Sequence, residues 1–165
     1  ALLFGCGIQR LQLLRPRTAA AVLTATMLVL TAMTINLSQI WRDDITLWAR
    51  ATSIMPTAYL PNSNLSVALL VAGRGDDAIP YLEASIRLEP RDAEARVNLA
   101  SVLARKGDTD GAIKLFEEVV ALRPNDASFA SARYNLGLLL IQQGRKSDGL
   151  AHRREAVRLN PALER

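Results

Sequence analysis

The chain has 165 residues, half of them apolar, 5% of them aromatic, with a mean hydropathy of +0.12. That is too apolar for a disordered tail, and with so few aromatic residues it is unlike an all-β sandwich. One cysteine and one histidine exclude an intramolecular disulfide framework and a zinc cluster of the usual kind.

The net charge of +4 is unevenly spread. Residues 1–55 hold five Arg against two Asp, whereas residues 56–165 hold 15 basic and 14 acidic side chains. The basic pI therefore does not describe a basic globular surface, and no nucleic-acid partner is expected. Arg outnumbers Lys 17 to 3, and with the abundant Ala this composition points to a GC-rich, bacterial genome.

Residues 1–17 open with the apolar run ALLFGCGI, which reads as the end of a preceding membrane helix, followed by a loop carrying Arg10, Arg15 and Arg17. Cys6 follows Leu3-Phe4-Gly5, a loose match to a lipoprotein box, but a packed membrane cysteine fits better. Residues 18–40 contain no charged side chain. At about 1.5 Å per residue such a run reaches roughly 35 Å, enough to cross a hydrocarbon core of about 30 Å. Threonine hydroxyls inside it can bond back to helix carbonyls. The arginine-rich flank on one side and Trp41 and Trp48 beyond the other make it a transmembrane helix whose arginine loop is cytoplasmic. A cleaved signal peptide fits poorly, because no Ala-x-Ala site lies near residue 40. The expected location is the membrane, with everything after Trp41 periplasmic or otherwise extracytoplasmic. The expected partners are the lipid bilayer and a polypeptide.

From residue 59 onward the chain repeats. Asn-Leu recurs at Asn64-Leu65, Asn98-Leu99 and Asn135-Leu136. Each Leu is followed at eight residues by Gly73, Gly107 or Gly144, at thirteen by Ala78, Ala112 or Gly149, and at twenty-five by Pro90, Pro124 or Pro161. The first two units are 34 residues apart and the third is 37 apart, with three residues inserted near Ala127 to Phe129. Apolar spacing within each unit predicts two helices, broken by the glycine and stopped by the proline. Neither helix can bury its stripe alone, whereas stacked hairpins bury it together.

These landmarks resemble the tetratricopeptide repeat pattern W-x2-L-G-x2-Y, A-x3-F and P. The first unit (59–92) gives Asn62, Leu65, Ser66, Leu69, Ala78, Leu82 and Pro90. The second (93–126) gives Arg96, Leu99, Ala100, Leu103, Ala112, Phe116 and Pro124. The third (130–163) gives Arg133, Leu136, Gly137, Leu140, Gly149, Arg153 and Pro161. Arg153 departs furthest, replacing a buried aromatic, so the second helix of that unit is either poorly packed or the exposed end of the array. The resemblance implies an all-α right-handed superhelix of about three helical hairpins over 59–165, which here would follow the transmembrane helix read from residues 18–40. Residues 41–58 read as a junction helix, half a repeat, capping the array, with Asp43 as its N-cap.

In such repeats the first helices line a concave face, and the Asn before Leu is a recurrent groove residue. Asn64, Asn98 and Asn135 would form a ladder for a peptide backbone, since a primary amide both donates and accepts. The other reading is that each amide satisfies a local backbone group. Neighbouring groove positions are Ser63, Val67, Val97, Ser101, Tyr134 and Leu138. The Lys and Arg that grip a C-terminal carboxylate in chaperone-binding members have no counterparts at Ser63, Val67 or Val97.

No catalytic constellation is legible, and no metal or cofactor is expected. His152 reads as a solvated surface residue. Asp43 and Asp44, about 100° apart on a helix, read as capping groups rather than an acid/base couple. Trp41-x-Asp43-x3-Leu47-Trp48 followed by Pro56 and the Asn-Leu repeats also resembles the junction in membrane O-mannosyltransferases with tetratricopeptide tails. That resemblance implies a polyprenyl-phosphate sugar donor and catalytic acids outside this sequence. The principal expectation is a membrane-anchored module that binds an extended polypeptide. The alternatives are the substrate-recruiting tail of such a transferase and an assembly factor for pili or envelope complexes.

Overall fold

The computed structural model describes residues 16–40 and 43–164, and side chains from residue 18 onward except at 19 and 36–42. The expectations placed on residues 1–15, including Arg10, Arg15 and Cys6, and on the side chains of Arg17 and Trp41, lie outside the described residues. The chain falls into two units, 1–47 and 48–165.

The described part of the first unit is dominated by α1, Pro16–Ile40. Every α1 side chain described is exposed. Thr24, Thr26 and Thr34 donate their hydroxyls to the carbonyls of Ala20, Val22 and Leu30 at 2.6, 2.8 and 2.9 Å, so these polar groups are satisfied within the helix. Among the described residues no helix is long and apolar enough to cross a membrane. The spanning reading draws also on positions 19 and 36–40, whose side chains are not among those described.

Helix α2, Asp44–Ile54, starts as the sequence predicts. The Asp43 carboxylate accepts from the Thr46 amide at 2.7 Å and from its hydroxyl at 3.1 Å. This is the capping role expected of Asp43. No α2 side chain is fully buried.

The rest of the second unit is three helical hairpins: α3 (Tyr59–Val71) with α4 (Gly75–Leu88), α5 (Ala93–Lys106) with α6 (Thr109–Leu122), and α7 (Ala130–Gln142) with α8 (Lys146–Leu159). From α3 to α8 successive helices pack on one another, within hairpins and between them. The hairpin turns are made by Gly73, Gly107 and Gly144, all in the left-handed region at φ 74°, 87° and 85°. A side chain there would be strained, which is why the glycine recurs at one position of every unit. Asp92 and Asp108 cap α5 and α6, accepting from the Ala95 and Gly111 amides. The three inserted residues form a 3-10 turn, Ala127–Phe129, capped by Asp126, and Phe129 packs against the core.

The core is built from the expected landmarks. Leu65, Leu99 and Leu136 are buried, as are Ala78, Ala112 and Gly149, and Leu82 and Phe116. The place of the aromatic that opens the repeat pattern is taken in each unit by a hydrogen-bond donor. Asn62 donates to the carbonyls of Pro56 and Ala58, Arg96 to that of Asp92, and Arg133 to that of Pro124. Each side chain thus ties its hairpin to the connection before it. Arg96, 8% exposed, also pairs with Glu118 at 2.9 Å.

Helix α8 is not poorly packed, despite Arg153. A Cβ on Gly149 would lie 2.5 Å from the Gly137 carbonyl oxygen and 3.0 Å from the Ile141 amide nitrogen. A Cβ on Gly137 would lie 2.6 Å from the Gly149 carbonyl oxygen. The two backbones touch. His152 departs from the solvated residue expected. It is half-buried, and its Nδ1 is buried without a hydrogen-bond partner. Desolvation lowers its pKa from 6.5, Arg133 and Arg145 lower it further, and Glu117 and Asp148 partly oppose this.

Two predictions follow from α8. Gly149→Ala should destabilise the protein by about 1–3 kcal/mol, the usual cost of overpacking, despite alanine's better helix propensity. Urea unfolding measures this, and a more stable variant would mean that the helices can part freely. For His152, the folded state binds its proton less readily than the unfolded state, so stability should rise with pH through the region just below and around 6.5. His152→Gln should flatten that slope in unfolding curves taken from about pH 5 to 7.5, the range of histidine titration.

Candidate functional site

The first helices of the hairpins, α3, α5 and α7, each present a stripe at spacings of four, three and four residues, which falls on one helix face. On α3 it is Leu60, Asn64, Val67 and Val71; on α5, Glu94, Asn98, Ser101 and Arg105; on α7, Ser131, Asn135, Leu138 and Gln142. Asn64 and Asn98 are half-buried and Asn135 is exposed. Among the described residues none of the three side-chain amides is drawn into an intramolecular hydrogen bond. Asn62, two positions before Asn64, is by contrast buried and fully engaged.

Between α5 and α7 the stripes meet over a depression of about 240 Å³, lined by Ser101, Ala104, Arg105, Asn135, Leu138 and Leu139, with Phe116 also in its wall. The structure therefore brings together Ser101, Asn135 and Leu138, which the sequence selects as neighbours. Val67 is exposed on the α3 stripe. Ser63, Val97 and Tyr134 lie one position to the side and are half-buried. Val97 packs against the core, and the Ser63 carbonyl accepts from the Ser66 hydroxyl. Tyr134 is engaged by α8: the Arg153 guanidinium lies 4.7 Å from its ring centroid and donates to its hydroxyl at 2.8 Å.

Sequence reasoning missed Leu60, Val71, Glu94, Arg105, Ser131 and Gln142, the outer members of the same stripes. The signal was available, since each lies four residues from a member already identified. The surface is apolar along α3, where Leu60 and Val71 are 66% and 85% exposed, and mixed along α5 and α7. Among the described residues no group of His, Cys, Asp and Glu could hold a metal ion. The arrangement offers amide donors and acceptors, a shallow apolar strip and one arginine, which suits binding rather than bond making.

Comparison with known proteins agrees with this architecture. Family models described as tetratricopeptide repeat match residues 64–127 and 130–163, together more than half of the chain. Cellulose synthase operon protein C of Escherichia coli (strain K12) is 34% identical over 82 residues, covering 47% of this chain and 7% of that protein. BBSome complex member BBS4 of Bos taurus is 30% identical over 106 residues, covering 64% of this chain and 20% of that protein. The chain thus spans a small part of these relatives. Among solved structures, MamA superposes with a TM-score of 0.65 at 22% identity, covering 71% of this chain and 67% of that one. A second MamA structure gives 0.65 at 20% identity, covering 78% and 70%. The hairpin geometry, the landmark residues and the family match lead to one assignment: the chain belongs to the tetratricopeptide-repeat family.

Proposed function

We propose that the repeats form an interaction module that holds an extended polypeptide along the stripes of α3, α5 and α7. The observation that carries this reading is the row Asn64, Asn98 and Asn135, one amide per repeat at the same position, each uncommitted within the fold. An amide that gives and receives a hydrogen bond matches a peptide group in either chain direction. Leu60, Val67 and Val71 offer apolar contact to alternate side chains of such a segment. One relative, at 30% identity, is named as a complex member, which is consistent with an interaction module.

Anchoring by α1 is part of the same proposal. It is supported by the uncharged run 18–40 and by the threonine hydroxyls bonded to their own helix. The arginine bias of residues 10–17 supports an orientation that leaves the repeats outside the cytoplasm. The transferase and assembly-factor alternatives rest on the motif from Trp41 to Trp48 and on general architecture respectively. A substrate-recruiting tail would use the same asparagine row, so that alternative differs in what the rest of the protein does rather than in the groove.

Replacing Asn64, Asn98 and Asn135 together by alanine should weaken partner binding by about 1 kcal/mol per lost hydrogen bond while leaving the fold intact. A pull-down of the natural partner followed by calorimetry on wild type and variant provides the measurement. Unchanged affinity would discard the ladder. The topology has its own check: a reporter active only outside the cytoplasm, fused after Arg165, should be active.

A further inference from the structure

The three hairpins share one register, so the face that each turns towards the next can be compared position by position. On α4 and α6 that face carries Asp76 and Asp110, then Leu82 and Phe116, then Glu83 and Glu117. The next hairpin packs against it and bonds to three of the four acids. Lys106 pairs with Asp76 at 2.9 Å, Gln143 donates to Asp110, and Arg145 reaches Glu117 at 3.9 Å. On α8 the same three positions are Ser147, Arg153 and Arg154. Both acceptor acids are gone, the buried apolar residue has become a cation, and the sign of the face has reversed.

The apolar residues of that face remain. Leu150 is 40% exposed, whereas its counterpart Ile113 is 6% exposed beneath the third hairpin. Leu150, Arg153, Arg154, Val157, Leu163 and Glu164 line a cavity of about 330 Å³. Arg153 stacks on Tyr134, and its Nε has no hydrogen-bond partner. Arg154 forms no ion pair among the described residues.

We propose that this face of α8 docks an acidic amphipathic helix of a separate protein, with carboxylates on Arg153 and Arg154 and apolar residues over Leu150, Val157 and Leu163. A helix is the occupant that the fold uses at the two equivalent faces, where α5 and α7 lie. A further repeat of the array is disfavoured by charge, because the acids that receive a following hairpin are absent. A second copy stacked head to tail is disfavoured likewise, because α3, the first helix of the first hairpin, carries no acidic residue at all. The site is distinct from the asparagine groove, so the two can fail separately.

The test uses two labelled helical peptides with the same leucine spacing, one with glutamates on its flanks and one with lysines in their place. Fluorescence anisotropy should show binding of the glutamate peptide and little or none of the lysine peptide. Arg154→Glu, an exposed change that spares the Tyr134 stack, should weaken glutamate-peptide binding at least about tenfold, the loss expected for one charged pair. The same variant should bind the lysine peptide better than wild type does. Asn64, Asn98 and Asn135 to alanine should leave glutamate-peptide binding unchanged. Equal binding of the two peptides, no effect of Arg154→Glu, or loss of binding in the asparagine variant would each overturn the proposal. A concentration-dependent dimer in sedimentation that Arg154→Glu dissolves would also overturn it, assigning the face to a second copy.

Discussion

The structure depends on how closely two helices of one hairpin can approach. A helix of 13 or 14 residues with one apolar stripe cannot be stable alone. Its stripe must meet another at a distance that excludes water. Ser66 and Ala78, Ala100 and Ala112, and Gly137 and Gly149 are the small residues in register at the three crossings, and all are buried. Their size fixes the separation, the separation brings Leu65, Leu99 and Leu136 into the core, and burying leucine turns the preceding asparagine to the rim. The asparagine row is therefore a by-product of the crossing. A bulky residue at Ala112 would displace Asn98 without touching it.

Donors take the place of the pattern's opening aromatic, which changes how hairpins are joined. An aromatic there would contribute area, roughly 25 cal/mol for each Å² removed from water. Asn62, Arg96 and Arg133 instead satisfy carbonyls in the connections, where the chain leaves one helix and has no backbone partner for them. A hydrogen bond from a charged donor is worth about 1.5–3 kcal/mol, comparable to much of that area. The arginine stem of Arg96 still fills space while its head reaches Glu118 and the Asp92 carbonyl. The exchange also makes the joint directional, because a guanidinium fixes an angle that a ring face would leave loose.

Most of the hairpin array was legible in the sequence because its cause is periodic. Gly73, Gly107 and Gly144 sit where the chain needs positive φ, and no other residue type serves there as well. The groove was legible only in part. Asn64, Asn98 and Asn135 stand out as repeats of one letter, whereas Leu60, Val71 and Arg105 occupy matching positions with unlike chemistry and leave no repeat to notice. Tyr134 was assigned to the groove by its position alone. Its engagement by Arg153 depends on a contact across 19 residues, which no local pattern encodes. His152 was misjudged for a related reason: the charges that act on it include Arg133 of α7 and Glu117 of α6, which are remote in sequence. The register of 41–58 predicts α2 and its cap, but a helix with no buried residue gives packing little to report.

The third hairpin is packed differently from the first two. In a linear array each unit is stabilised by its own packing and by its interfaces. Among the described residues the third hairpin has one such interface, with α6, against two for the second. Its internal packing is also its own. Only here is the crossing made by two glycines, which let backbones rather than side chains touch. Only here does a cation stack on a ring of the partner helix, a contact worth about 0.5–2 kcal/mol depending on desolvation. Arginine at position 153 serves both demands. Its stem and guanidinium cover Tyr134, as Leu82 and Phe116 cover their own hairpins, and its charge makes the outward side unlike the faces that receive a following repeat. A single residue that breaks the pattern thus strengthens the hairpin internally and changes what can bind beyond it.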